Sequence, residues 1–200
     1  MTADIPAWLA DRIDPAGPAS AGLAIVALGS AANDGRDGFR LRSAAFADGA
    51  ALDPCFTAQE EDAVAPPLEW TAPPSGAVEL VLVAEDMDSP SGDPFCHWLV
   101  WGLAAQKGQL LEGETPPRVG KNSFGNSEWA LPDPAEGDAP RRYLFQLFAL
   151  DTPVSLMPGA KRADVLKAME GHVVGTALLT ASYAYEDLDD DLDWEEGDGE

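Results

Sequence analysis

The sequence predicts a mainly β fold, on three observations. Five apolar stretches of strand length lie between residues 23 and 150, separated by clusters of Pro, Gly and Asp. Helical periodicity is confined to two short stretches. There is no phosphate-cradling glycine loop and no internal repeat, so neither a doubly wound sheet nor a solenoid is expected. At 200 residues and 46% hydrophobic content, the chain suffices for one domain with a substantial core. The expected organisation is an N-terminal helix and linker at 1–22, one domain at 23–185 and a disordered acidic tail at 186–200.

In chain order, Ile5, Trp8, Leu9 and Ile13 fall at helical spacing, and Pro15, Gly17 and Pro18 close the stretch. A short amphipathic helix here would cover part of the core or form a homodimer contact. Strands are expected at 23–28, 38–46, 78–85, 98–103 and 142–150. Across 160–171, Val165, Leu166 and Met169 share a helical face that Gly171 can end. A last apolar strand is expected at 173–185. The tail holds ten acids and no Lys or Arg, a density of like charge that resists compaction. Solubilising the protein, or holding a partner through Leu188, Leu192 and Trp194, would each suit it. Asp189, Asp191, Asp193 and Glu200 imitate a calcium loop, but Trp194 stands where that loop requires glycine.

Twelve Lys and Arg against 35 Asp and Glu leave a formal charge of -23. Such a chain repels nucleic-acid backbones and anionic lipid surfaces at long range, so no nucleic-acid partner and no stable membrane insertion are expected. Met1-Thr2-Ala3-Asp4 lacks the positive region of a secretory signal, and the apolar run 23–28 is too short to span a bilayer. A cytoplasmic location is expected, with Cys55 and Cys96 as free thiols.

The polar groups with chemical promise lie at strand ends. Val81-Leu82-Val83-Ala84-Glu85-Asp86-Met87-Asp88-Ser89-Pro90 carries an apolar strand into two carboxylates, and strand parity would put Asp86 and Asp88 on one side. His97-Trp98-Leu99-Val100-Trp101 begins another strand, and a hairpin between the two returns His97 to the Asp86 end. Asp at a strand end also serves turns, which would account equally well for Asp88 before Ser89-Pro90.

Four segments in order resemble the phosphatidylethanolamine-binding protein family, in its bacterial Raf-kinase-inhibitor-like branch. They are Ala65-Pro66-Pro67-Leu68-Glu69-Trp70, Asp86-Met87-Asp88-Ser89-Pro90, His97-Trp98, and Gly120-Lys121-Asn122-Ser123-Phe124-Gly125 leading to Arg142-Tyr143. The resemblance covers residues 38–185. It implies a large central antiparallel sheet packed on a smaller one, with few peripheral helices. It also implies a non-catalytic protein without cofactor, whose pocket accepts phosphate, phosphorylethanolamine or a carboxylate. The family's pocket aspartates fall on Asp86 and Asp88, its histidine on His97 and its tyrosine on Tyr143. An imidazole N–H and a phenol can donate to an oxyanion, and Asp86 would orient the imidazole or raise its pKa, so that binding strengthens as His97 gains a proton.

The chain departs from the family pattern twice. Arg141 stands where the family has histidine, and by alternation shares a face with Tyr143. It would either grip the anion or plug the cavity by pairing with Asp86. After Gly125 the family's glycine-rich loop is replaced by Asn126-Ser127-Glu128-Trp129-Ala130-Leu131-Pro132-Asp133-Pro134, which reshapes one wall; Trp129 is either an aromatic wall or core.

Three rivals compete with an anion-binding role. A hydrolase lacks a Gly-x-Ser-x-Gly elbow and has only His97 and His172 to draw on, and His172, after Gly171, suits a helix end. A metal site from Cys55, Cys96, His97 and an aspartate lacks paired-ligand spacing, and regular alternation turns Cys96 and His97 to opposite sides. A protein-interaction or kinase- or protease-inhibitor module with a vestigial pocket is the third.

Overall fold

The computed structural model describes residues 5–185, and among them two antiparallel sheets are joined by long irregular segments. The larger has the order β4-β3-β6-β7, formed by β3 (Glu79–Asp86), β4 (Phe95–Ala104), β6 (Arg141–Leu150) and β7 (Val173–Tyr183). The smaller has the order β1-β2-β5, formed by β1 (Leu41–Arg42), β2 (Leu68–Trp70) and β5 (Gly108–Leu110). The helices are α1 (Ala24–Leu28) and α2 (Arg162–Met169). This is the mainly β fold of a large sheet and a small one that the sequence predicts.

β3 is buried along its whole length because both faces of the large sheet are covered. Period-two alternation divides its side chains between two cores. Leu80, Leu82 and Ala84 pack with Phe145 and Leu147 against Leu41, Leu68 and Trp70 of the small sheet. Val81 and Val83 face the other way with Leu144 and Phe148, under Leu9, Ile13, Leu23 and Ile25 of the N-terminal segment and Val165 and Met169 of α2. Each aliphatic side chain so buried contributes about 2 kcal/mol. The N-terminal segment therefore serves as core cover, one of the two roles open to it.

That second face also buries a charge. Glu85, fully buried, accepts the Ala24 amide at 2.9 Å and the Gln146 side-chain amide at 2.7 Å, and pairs with the Arg162 guanidinium. Gln146 in turn accepts the Ile25 amide at 2.7 Å, and Arg162 donates to the Gly22 carbonyl at 2.8 Å. Two strand side chains thus satisfy the first free amides of α1, and Arg162 ties the entry to α1 onto α2.

Several sequence expectations change. Within the expected strand 23–28, Ala24–Leu28 form α1, because the amides a strand would offer to a neighbour are taken by Glu85 and Gln146. The N-terminal helix shrinks to one 3-10 turn at Ala7–Leu9. The strand expected at 38–46 is only Leu41–Arg42, since residues 36–38 form a 3-10 turn and the Ser43 hydroxyl leaves the ladder to donate to the Pro67 carbonyl. β2 and β5, three residues each, were too short to read as strands from periodicity. The remaining strands and α2 fall close to the positions read, and Gly171 ends α2's turn at φ 78°. No helix among the described residues is long and apolar enough to cross a membrane. The acidic tail and its calcium-loop imitation lie outside the described residues.

Replacing Glu85 by Ala leaves the partly exposed Arg162 guanidinium without its carboxylate and uncaps α1. We expect a loss of about 2–3 kcal/mol, read as a lower urea midpoint.

Candidate functional site

The register of β3 against β4 slips where the polar groups gather. Ala84 pairs with Trp98 but Glu85 pairs with Cys96, so His97 is the extra residue of a β-bulge. Trp98 faces the small sheet and Cys96 the opposite core. The bulge lets His97 share Trp98's side, where its ring lies 5.2 Å from Tyr143, 5.6 Å from Trp129 and 4.7 Å from Phe95. Asp86 is the cross-strand partner of both Phe95 and Tyr143, which sets Asp86, His97 and Tyr143 at one end of the large sheet.

His97 Nδ1 donates to the Ala130 carbonyl at 2.5 Å, and the Ala130 amide returns a bond to the His97 carbonyl at 2.9 Å. A carbonyl only accepts, so Nδ1 carries the hydrogen and Nε2 of the neutral ring is an acceptor. Burial, helped by Arg141 and opposed by the Ala130 carbonyl, lowers the imidazole pKa to about 4. This corrects the expectation that Asp86 raises it: the ring's hydrogen-bond partner is a carbonyl and the near charge is a cation.

Burial raises the Asp86 carboxyl above its ordinary value, despite the Asp88 amide donating to it at 2.7 Å and Arg141 standing 3.5 Å away. Burial, followed by Asp86, likewise raises the Tyr143 phenol. Arg141 bridges outward, its other nitrogen 3.1 Å from Asp138. The plugging geometry weighed for Arg141 is therefore present as a loose pair. Asp86 and Tyr143 are 1% exposed and His97 6%, so the three gather at this end of the sheet without lining an open hollow. The open space lies beyond them, a basin of about 440 Å³ lined by Asp88, Arg141, Arg142 and Asp138 with Pro90 and Pro140.

Asp88 does not stay with Asp86. β3 ends at Asp86, so strand parity no longer applies, and Asp88 turns to Arg142, accepting its amide at 2.9 Å, Nε at 2.8 Å and Nη2 at 2.6 Å. Burial alone would raise the Asp88 carboxyl, but these bonds outweigh it and hold the group below its ordinary value. The turn role read for Asp88 belongs to Asp86, which accepts the amide two residues on.

The start of the reshaped loop after Gly125 is held by Asn122, 5% exposed, whose oxygen accepts the Phe124 and Asn126 amides and whose nitrogen donates to Asn126 and to the Glu128 carbonyl. Trp129 is both wall and core: its indole donates to the Phe56 carbonyl at 3.0 Å while its ring stacks on Phe145. Glu128 lines a different cavity, of about 540 Å³, floored by Trp98 and Trp129. Cys55 and Cys96 are free, and among the described residues no group of three potential ligands could hold a metal. His172 pairs with Asp151 at 2.9 Å. Glu85, Arg142 and Asp138 were not singled out from sequence; the parity that turns Glu85 away from Asp86 was available, but its partners are 61 to 77 residues distant.

Comparison with known proteins is consistent with this architecture. The family model described as phosphatidylethanolamine-binding protein matches residues 42–184. A UPF0098 protein of Methanothermobacter thermautotrophicus is 37% identical over 150 residues, covering 72% of this chain and 97% of that one. The crystal structure of a phosphatidylethanolamine-binding protein homolog from Chlamydia trachomatis is 33% identical with a TM-score of 0.69, covering 74% of this chain and 98% of that one. E. coli YbcL shares the fold at a TM-score of 0.67 and 23% identity, covering 74% of this chain and 99% of its own.

The buried neutral imidazole makes stability pH-dependent. The unfolded chain takes up a proton near pH 6.5 that the folded chain refuses until about pH 4, so His97's contribution is complete above pH 6.5 and is lost as the pH falls towards 4. The expected loss is about 3 kcal/mol. His97→Gln keeps a donor for Ala130 and cannot titrate; urea unfolding from pH 7 to 4 should give it a flatter acid limb than the unsubstituted protein. Asp86 titrates in both proteins, with the opposite sign, and cancels from the difference.

Proposed function

The chain belongs to the phosphatidylethanolamine-binding protein family, and from that premise we propose that it is a non-catalytic binding protein for a small phosphate-like or carboxylate anion, received where β3, β4 and β6 end. The observation that carries this reading is the loose hold on Arg141. Its guanidinium sits 3.5 Å from Asp86 and 3.1 Å from Asp138 at the edge of the 440 Å³ basin. Releasing one carboxylate frees a planar fork for bidentate contact with an oxyanion.

The groups behind Arg141 favour a ligand that brings a donor of its own. Neutral His97 offers an acceptor at Nε2, and the desolvated Asp86 carboxylate would gain from a cation or an O–H. An ethanolamine ammonium or a protonated phosphate oxygen supplies either, so a zwitterion such as phosphorylethanolamine suits the site better than a bare dianion. Protonation of His97 would aid anion binding only as the pH approaches 4. No nucleic-acid partner fits a chain of charge -23, and a cytoplasmic location agrees with this reading.

The test is a titration with phosphorylethanolamine at low ionic strength, followed by calorimetry and by the amide resonances of Phe95 and Tyr143. Arg141→Gln and Tyr143→Phe should each weaken binding by roughly tenfold, with the melting temperature shifted by only a few degrees. Affinity should be nearly flat between pH 7 and 8, above the ligand's own phosphate titration at about pH 6. Silence of both resonances at millimolar ligand, or full affinity in Arg141→Gln, would remove this function.

A further inference from the structure

On the other side of β4 from His97 lies a cavity of about 250 Å³ lined by Lys121, Lys161 and Arg162, with Ser123, Asn122, Gly125 and Cys96. No carboxylate lines it, in a chain whose Asp and Glu outnumber Lys and Arg by 35 to 12. The backbone brings the cations together: Lys121 and Lys161 are partners in a parallel bridge, with the Lys121 amide donating to the Ala160 carbonyl at 2.9 Å. Neighbouring strands run about 5 Å apart, so two ammonium stems rise side by side with Arg162 next in sequence. Among the described residues neither lysine has an ion-pair or hydrogen-bond partner for its side chain, whereas Arg12, Arg141, Arg142 and Arg162 are all paired.

Two ammonium groups held side by side without a counter-ion repel one another, and an anion placed between them, within reach of the Glu85-paired Arg162, relieves that repulsion. The neutral lining supports this. The Ser123 oxygen accepts the Cys96 amide at 2.8 Å, which leaves its O–H to donate. Gly125 has open space where a Cβ would stand, and Lys161 at the N-cap of α2 makes no side-chain cap bond. Burial keeps the Cys96 thiol protonated, so the floor carries no charge and no nucleophile. Arg162 is held by Glu85 and by the Gly22 carbonyl through Nε and Nη2, which fixes the guanidinium and leaves Nη1 for a ligand.

We propose that this cavity is a second anion site, separate from the one around Asp86, which takes the phosphate group of a small monoester or of a lipid headgroup. Its size admits the phosphate and not a bulky substituent, which would project into solvent past the two lysines.

The experiment is a titration of the full chain with inorganic phosphate in phosphate-free, low-salt buffer, following the amide resonances of Ser123, Gly125 and Arg162 beside those of Phe95 and Tyr143. Saturable shifts at the first three, weakened at least tenfold in the Lys121→Gln/Lys161→Gln double variant and unaffected by Arg141→Gln, are the expected result. Both lysines are exposed and unpaired, so the double variant should melt with the unsubstituted protein. Co-sedimentation with phosphatidic acid vesicles against phosphatidylcholine vesicles, lost in the double variant, would assign the phosphate to a lipid; shifts with free phosphate but no vesicle binding would assign it to a soluble monoester. No shift at these amides at 20 mM phosphate (on the order of the weakest useful affinity), or shifts undiminished in the double variant, overturns the proposal whether or not Phe95 and Tyr143 respond.

Discussion

The buried carboxylate of Glu85 is the interaction on which the arrangement of this molecule depends. Placed on the outward face of the central strand, it is an ion that water cannot reach, and an unpartnered charge there would be prohibitive. It is satisfied by groups from three other parts of the chain: the amide that opens α1, the side chain of Gln146 on β6 and the guanidinium that opens α2. Each partner brings apolar surface with it, so meeting the needs of one charge closes the second core. The family model begins at residue 42, so the segment held this way lies outside the matched part of the chain.

Glu85 and Asp86 are consecutive carboxylates with opposite surroundings. Glu85 faces a network that supplies a full set of donors, whereas Asp86 faces a histidine, a tyrosine and one loosely placed arginine. The bulge at His97 sharpens the contrast by putting an imidazole on the Asp86 side that regular alternation with Trp98 would have turned away. One strand end is thereby a structural anchor on one face and a loosely paired polar cluster on the other. A long contact such as that of Arg141 with Asp86 can be exchanged for a ligand, and tightly met groups like Glu85 are poor candidates for binding anything else.

Global charge and local charge act on different scales here. A formal charge of -23 sets the long-range field and disfavours polyanions as partners. Within a few ångströms the field depends on which cations are already neutralised. Arg142 is committed to Asp88, Arg141 is shared between two carboxylates, and Lys121 and Lys161 are committed to none. A strongly negative net charge is therefore compatible with an anion in a small basic cavity.

Residue order alone determined the mainly β class, the long strands and α2, because period-two alternation and turn residues are local properties of the chain. It also pointed to Asp86, His97 and Tyr143, which the strand register gathers at one end of the large sheet, while Arg142 and Asp138 escaped it. It misread 23–28 as a strand and placed Asp88 beside Asp86. In each case the deciding partner is remote: Glu85 and Gln146 for α1, Arg142 for Asp88. Tertiary structure alone decided that His97 is neutral, that Arg141 is already paired and that the cluster around Asp86 is closed to water. Those properties depend on burial and on distances between atoms far apart in sequence, and a pattern of residue types carries neither.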